Sequence, residues 1–337
     1  VINTSSSADF QLQVNDTIVS AYLYWAGSGS GDFDVKLNDV EITANRVFRD
    51  TLVSRNQEFF SAFADVTQQI KTTGNANYTL SELDVSDVIP TYCPNATNFA
   101  GWSVVVVYQN DDLELNQLNI YDGLQHVPDA LTITLSNLNV IDNDNAKIGF
   151  LAWEGDRGLS INESLRVNGN LISNPPLNPG NNAFNGTNSF TGQSNLYNMD
   201  MDFYNIQNNI NIGDTSATVQ LTSGQDFVMI NSIITKLNSQ LPDATINIEN
   251  ITVPDCLSKE ILVNFKVVNS NSTSSLPTGT SIHIYVEDDL AETLTTTSEI
   301  PINGSEDFEV LVAIPQDAIS DFLITIIVDE ENAVLEI

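Results

Sequence analysis

Carboxylates dominate the chemistry open to this sequence: 44 Asp and Glu stand against 11 Lys and Arg, with two histidines and two cysteines. A serine or cysteine nucleophile needs a base within reach, and the two imidazoles are poorly placed to supply one. His126 lies in "GLQHVPD" ahead of a strand, and His283 alternates with Ile282 and Ile284 in "SIHIYVE", a pattern that directs it to solvent from a sheet. No GxSxG elbow, P-loop, HExxH pair or dinucleotide fingerprint occurs. A glycosidase needs two carboxylates facing one cleft; among so many acids some pair is always close, and the sequence singles none out. The expectation is a protein that is not an enzyme. Cys93 and Cys256 are far apart, fit no metal spacing and read as separate thiols rather than as a disulfide.

Two binding chemistries have specific residues behind them. In "VIDNDNAK", Asp142, Asn143 and Asp144 bring oxygen-bearing side chains to a turn between two strands, the donor type a calcium ion requires. The glycine and distant glutamate of an EF-hand are missing, so a purely polar β-turn is the competing reading. Asp111 and Asp112 form a weaker version of the same feature. For sugars, stacking aromatics are needed. Trp25, Trp102 and Trp153 each sit in or at the end of an apolar strand and read as core, whereas Phe184, Phe190 and Tyr197 belong to a Pro-, Gly- and Asn-rich stretch, 174–198, that reads as a long ordered loop packed on a sheet. These three are the expected glycan-binding residues.

The elements that must position these residues are strands. "IVSAYLYW", "WSVVVVYQN", "ALTITLSNLNVI", "AKIGFLAWEG" and "SATVQLTS" are apolar or alternating runs separated by turn residues, the rhythm of a sandwich. "DFDVKL" and "DVEITA" flank Asn38-Asp39 as a hairpin. "NSIITKLNSQ" reads as a strand. One helix is expected in "SAFADVTQQIKTTG", with Phe63, Val66 and Ile70 at helical spacing and Gly74 as C-cap. Near Pro242 to Pro254 the pattern restarts, so two domains are expected: a jelly-roll-like β-sandwich over 1–249 and an immunoglobulin-like β-sandwich over 250–337. A net charge of −33 argues against nucleic acid as a partner, because phosphate binding needs Lys and Arg. No apolar run approaches the ~18 residues of a membrane span, so direct membrane insertion is not expected.

The first domain resembles a domain of large surface proteins that gliding bacteria export through the type IX secretion system. The resemblance lies in "AYLYWAGSG", "FFSAFADVT", "NFAGWSVVVVYQN", "LNIYDGLQHVP", "KIGFLAWEGD", "NAFNGTNSFTG", "LYNMDMDFYNIQNNI" and "SGQDFVMINSIITKLNSQLPDA", and covers about 20–245. The second domain looks like the adhesion modules that accompany it. The resemblance implies extracellular, cell-surface display and a role in attachment or gliding. It also implies neighbouring domains of a longer chain, the type IX machinery, and a surface polysaccharide or substratum as partners. A dedicated carbohydrate-binding domain is the alternative. Asp16-Thr17-Ile18 and Asp50-Thr51-Leu52 resemble the motif such bacteria O-glycosylate, which implies Thr17 and Thr51 as glycoprotein sites.

Overall fold

The computed structural model describes residues 5–127, 129–239, 241–254, 259–270, 272, 274–314 and 322–336. The fold is all-β, with six antiparallel sheets among the described residues, and the chain divides into two compact units, Val1–Asn238 and Ser239–Ile337. The boundary falls ahead of the expected 249/250. The strand Ala244–Thr252 pairs along its length with Glu260–Asn269 and so belongs to the second unit.

In the first unit the strands run β1 Ser5–Phe10, β2 Thr17–Ser28, β3 Asp34–Leu37, β4 Val40–Thr43, β5 Arg46–Leu52, β6 Gln57–Asp65, β7 Ala76–Ser81 and β8 Ala100–Gln109. They continue as β9 Asn116–His126, β10 Asp129–Ser136, β11 Lys147–Trp153, β12 Ser164–Val167, β13 Asn170–Leu171, β14 Met199–Asn205, β15 Ser216–Ser223 and β16 Met229–Asn238. The unit is two sandwiches rather than one. Sheet β1-β7-β3-β4 faces sheet β5-β6-β2-β8 across a core holding Leu23, Trp25, Leu37, Phe60 and Tyr78. Sheet β14-β11-β16-β9 faces sheet β10-β15-β12-β13 across Ile148, Phe150, Leu165, Tyr204 and Val219. A third apolar layer joins the two sandwiches: Tyr24, Phe59 and Phe63 from one inner sheet meet Leu124, Leu151, Trp153 and Met229 from the other. The inner sheets are therefore covered on both faces. That is why "AYLYWAGS" and "IGFLAW" are nearly continuous apolar runs, with almost every residue buried.

The two sandwiches are repeats. In chain order, β10 to β16 occupy the places of β1, β2, β3, β4, β6, β7 and β8, while β5 and β9 are added edge strands. Main-chain detail repeats as well. Asn38 and Asn168 share φ of 49° at the start of equivalent hairpin turns. Each bonds reciprocally with a threonine: Thr79 N–H donates to Asn38 Oδ1 (2.8 Å) and Thr218 N–H to Asn168 Oδ1 (2.9 Å). Val66 N–H donates to Ala21 O (3.0 Å), as Ile206 N–H does to Ala146 O (2.9 Å). Gly29 N–H donates to Glu58 O as Glu154 N–H does to Asn198 O, both at 2.8 Å. These pairs fix the correspondence of β6 with β14: Phe60 matches Asp200 and Ala62 matches Asp202.

The expected helix is shorter than its periodicity implies. α1 spans Thr67–Thr73, and Gly74 closes it with φ 66° and an N–H bond to Ile70 O. Phe63 belongs instead to β6, where alternate residues serve different cores: Phe60, Ala62 and Ala64 one, Phe59 and Phe63 the other. Period-two burial on both faces overrides the 3.6-residue spacing there.

The second unit packs β17 Ala244–Thr252, β18 Glu260–Asn269 and β21 Ser305–Ala313 against β19 Ser281–Val286, β20 Asp289–Thr295 and β22 Ile324–Val328. Only one face of β18 is buried deeply, and its burial alternates strictly. Ile261, Val263, Phe265, Ile282, Ile284 and Val312 form the core. His283 does not point to open solvent as expected. It does face away from Ile282 and Ile284, but Glu330 covers it, with Nδ1 2.7 Å from Oε2, and it is 8% exposed.

Candidate functional site

Asp142, Asn143 and Asp144 are not assembled as ligands. Asp142 Oδ1 accepts the Asp144 N–H (2.9 Å) and Oδ2 accepts Asn238 Nδ2 (2.6 Å). Asn143 turns its Nδ2 inward to the carbonyls of Gln207 and Ile210. The segment is a turn tied to Asn238 and to the carbonyls of Gln207 and Ile210. At the weaker candidate, Asp112 accepts Asn15 Nδ2 at 3.1 Å. Thr17 and Thr51 are both exposed on strands, and Thr51 N–H is held by Asp50 Oδ1 (2.7 Å). Asp50 Oδ2 also lies 2.6 Å from His126 Nδ1, a hydrogen bond that fixes that histidine at the end of β9. Cys93 is a free, exposed thiol. Cys256 lies outside the described residues.

Trp25 and Trp153 are fully buried, as core tryptophans should be, and Trp102 is partly so. The three loop aromatics separate. Phe184 is fully buried against Phe150 and is no stacking platform, because the loop uses it as an anchor in the core. Phe190 and Tyr197 are 72% and 80% exposed. Phe190 nevertheless has a fixed seat, edge-on to Phe203 at 5.2 Å. The loop is ordered by bonds to β14: Ser189 N–H donates to Met201 O and Met201 N–H to Thr187 O, which covers the free edge of that strand.

Beneath this loop lies a group of residues that composition alone hid. Asp200 and Asp202 of β14 are fully buried. So are Glu154, just after β11, Glu163, just before β12, and Asp226, between β15 and β16. Asp156 adjoins them, its N–H donating to Asp226 Oδ2 at 2.8 Å. The acids hold the loop by its main chain. Glu163 Oε1 accepts the N–H of Phe184 (2.8 Å), and Asp200 Oδ1 accepts those of Asn185, Gly186 and Thr187 (2.8, 2.9 and 3.0 Å). Asp202 Oδ2 accepts Thr187 Oγ1 (2.7 Å) and Asn178 Nδ2 (3.0 Å).

Charge makes this arrangement expensive. Among the described residues no Lys, Arg or His forms an ion pair with any of the six. Burial first, then mutual repulsion, pushes the carboxyls of Glu154, Glu163 and Asp200 up to about 8 and that of Asp226 to about 7. Asp202 and Asp156 are raised by the same burial. Several oxygens in the group also lack any partner: Glu154 Oε1, Glu163 Oε2, Asp200 Oδ2 and Asp202 Oδ1, with Asn178 Oδ1 and Asn182 Oδ1 beside them.

Packing around the acids is tight. A Cβ on Gly155 would stand 2.4 Å from Asp200 Oδ2 and 2.8 Å from Phe184 O. Gly155→Ala is therefore expected to cost about 1–3 kcal/mol, the range for overpacking a filled interior. Urea unfolding followed by tryptophan fluorescence reads this directly, since Trp25, Trp102 and Trp153 all lie in the first unit. An unchanged midpoint would show that the acids have room to move aside.

Fold and site together define a two-unit β-sandwich protein whose second repeat carries buried acids where the first has apolar core residues. No family model matches the chain, and no curated protein does. Among solved structures it is similar to a β-D-glucuronidase from Dictyoglomus thermophilum, with 9% identity, TM-score 0.15, and coverage of 66% of this chain and 40% of that one. It is likewise similar to a glycosyl hydrolase family 2 member from Bacteroides cellulosilyticus, with 9% identity, TM-score 0.16, and coverage of 63% and 28%. The chain thus spans less than half the length of either, and likeness at this level carries no argument about function.

Proposed function

We propose that this chain is a non-catalytic adhesive module of a bacterial cell-surface protein, exported by type IX secretion and joined to further domains. The observation that carries the reading is the 174–198 loop, which anchors itself through Phe184 and holds Phe190 and Tyr197 out to solvent. Exposed aromatics on an ordered loop form a contact surface at low entropic cost, because little flexibility is lost when they engage. Face-to-face sheets joined by an apolar layer suit a part that carries load. The sequence resemblance over 20–245 supports the same reading and supplies its extracellular setting.

A glycosidase reading would draw on the carboxyls raised to about 7 to 8, since a general acid needs such a shift. Those groups are at most 2% exposed, so a glycosidic oxygen has no approach to them. A dedicated carbohydrate-binding domain is the closer alternative, and it uses the same exposed aromatics.

The test is retention of the full chain on polysaccharide-coated and bare surfaces, run beside a glycan array. Phe190→Ala combined with Tyr197→Ala should reduce retention by about 5- to 150-fold, the effect of losing about 1–3 kcal/mol of stacking contact. Retention unaffected by the pair would sink the loop as the adhesive surface. Selective binding to one glycan would favour the lectin reading.

A further inference from the structure

The buried acids of the second repeat have a geometry that points to a ligand. Glu163 and Asp200 each commit one oxygen to the loop main chain, at successive N–H groups from Phe184 to Thr187, and leave the other unpartnered in the interior. The amides of Asn178 and Asn182 do the same. Their nitrogens donate to Ala183 O and Arg157 O while both Oδ1 atoms remain without a donor. Every unpartnered atom here is an oxygen, on residues buried to more than nine-tenths. An all-oxygen lining is the donor type a hard cation takes.

The repeat supplies an internal control. Phe60 and Ala62 stand where Asp200 and Asp202 stand, in an otherwise equivalent sandwich, and both are buried in an ordinary apolar core. The strand itself does not need acids at these positions, although the 174–198 loop uses one oxygen of each as an acceptor. Two buried aspartates in place of a phenylalanine and an alanine must either stay protonated or meet a cation, because each uncompensated charge costs several kcal/mol.

We propose that Glu163 and Asp200, with the amide oxygens of Asn178 and Asn182, bind a calcium ion that locks the 174–198 loop onto the second repeat. No three acid, histidine or cysteine side chains among the described residues converge on one point. The ion is accordingly held by a carboxylate pair completed by amide and main-chain oxygens. Calcium tolerates six to eight such ligands in irregular geometry, whereas magnesium demands a near-ideal octahedron and keeps its waters. An open cleft of about 180 Å³ lined by Cys93, Ala96, Asn98, Asp156 and Asn198 lies next to the group at Asp156. The inference does not depend on what the loop binds.

The experiment is thermal unfolding of the full chain, stripped with EDTA and dialysed, followed by tryptophan fluorescence with calcium chloride, magnesium chloride or neither. At a calcium concentration about a hundredfold above its dissociation constant the midpoint should rise by about 5–10 °C, with a smaller rise for magnesium. Glu163→Gln and Asp200→Asn should each remove most of the rise while leaving the stripped protein at least as stable in the glutamine case. Equal midpoints with and without calcium would overturn the proposal. So would a calcium response that persists in the double variant, or one abolished by Asp142→Ala instead. Limited proteolysis of the unmodified protein gives an independent reading, should a variant fail to fold. Calcium should protect the 174–198 segment several-fold, and unchanged cleavage counts against the site.

Discussion

Asp200→Ala is expected to destabilise the first unit by about 3–5 kcal/mol, measured as the fall in unfolding free energy by urea titration at pH 6. One oxygen of this residue accepts three consecutive main-chain N–H groups, and the side chain is fully buried. Alanine removes the acceptor and strands all three donors beneath the loop. A buried unsatisfied group costs about 1–3 kcal/mol, and partial entry of water reduces the sum for three of them. The loop would lose its hold on β14, so proteolytic cleavage between 174 and 198 should accelerate in parallel. Asp200→Asn keeps an oxygen in place and should cost less than half as much. A loss below ~1 kcal/mol in the alanine variant would mean that Phe184 and the bonds to Glu163, Asp202 and β14 hold the loop without Asp200.

Trp153→Ala should have an effect of similar size, about 3–5 kcal/mol, for a different reason. Trp153 is fully buried in the layer between the two sandwiches, stacked on Phe99 at 6.0 Å and lying where a side chain on Gly101 would be. Its Nε1 donates to Asn231 Oδ1 (3.0 Å), which also accepts Ser61 Oγ (2.8 Å), while Asn231 Nδ2 donates to Gly123 O (2.9 Å). Ser61 lies in the first repeat and Asn231 in the second, so truncating the indole opens a cavity at the joint and loosens a bond that crosses it. Trp153→Phe keeps most of the packing and should cost about 1–2 kcal/mol for the lost hydrogen bond and reduced volume. Because the joint couples the repeats, the unmodified unit should unfold in one transition. Separate transitions for the two repeats would show that the middle layer contributes little.

Much of the architecture is readable along the chain. Apolar runs such as Trp102 to Val107, alternation such as Ile261 to Val267, and Asn38-Asp39 between two short strands lead to strands and a hairpin. These patterns report local geometry directly, and Asn38 and Asp39 do take the positive φ values, 49° and 62°, that the turn needs. The repeat was far less visible, because the correspondence of Phe60 with Asp200 or Ala26 with Leu151 lies in hydrogen bonding and not in residue identity.

The acids show why the site was not. In "MDMDFYN" the methionines alternate with aspartates, a pattern that reads as apolar-inward and acid-outward. The structure inverts it: Asp200 and Asp202 are fully buried, and Met199 and Met201 are only partly so, facing the neighbouring sandwich. Alternation says that two faces differ, never which one is covered. That depended on the 174–198 loop folding over β14 and on Glu154, Glu163 and Asp226 arriving from three other places in the chain. Sequence by itself determined the strands, the strong acidity and the long Asn-rich loop, since each follows from neighbouring residues. Tertiary structure alone decided which few of the 44 carboxylates lost their water and were left with oxygens facing inward, because desolvation is a property of everything packed around a group.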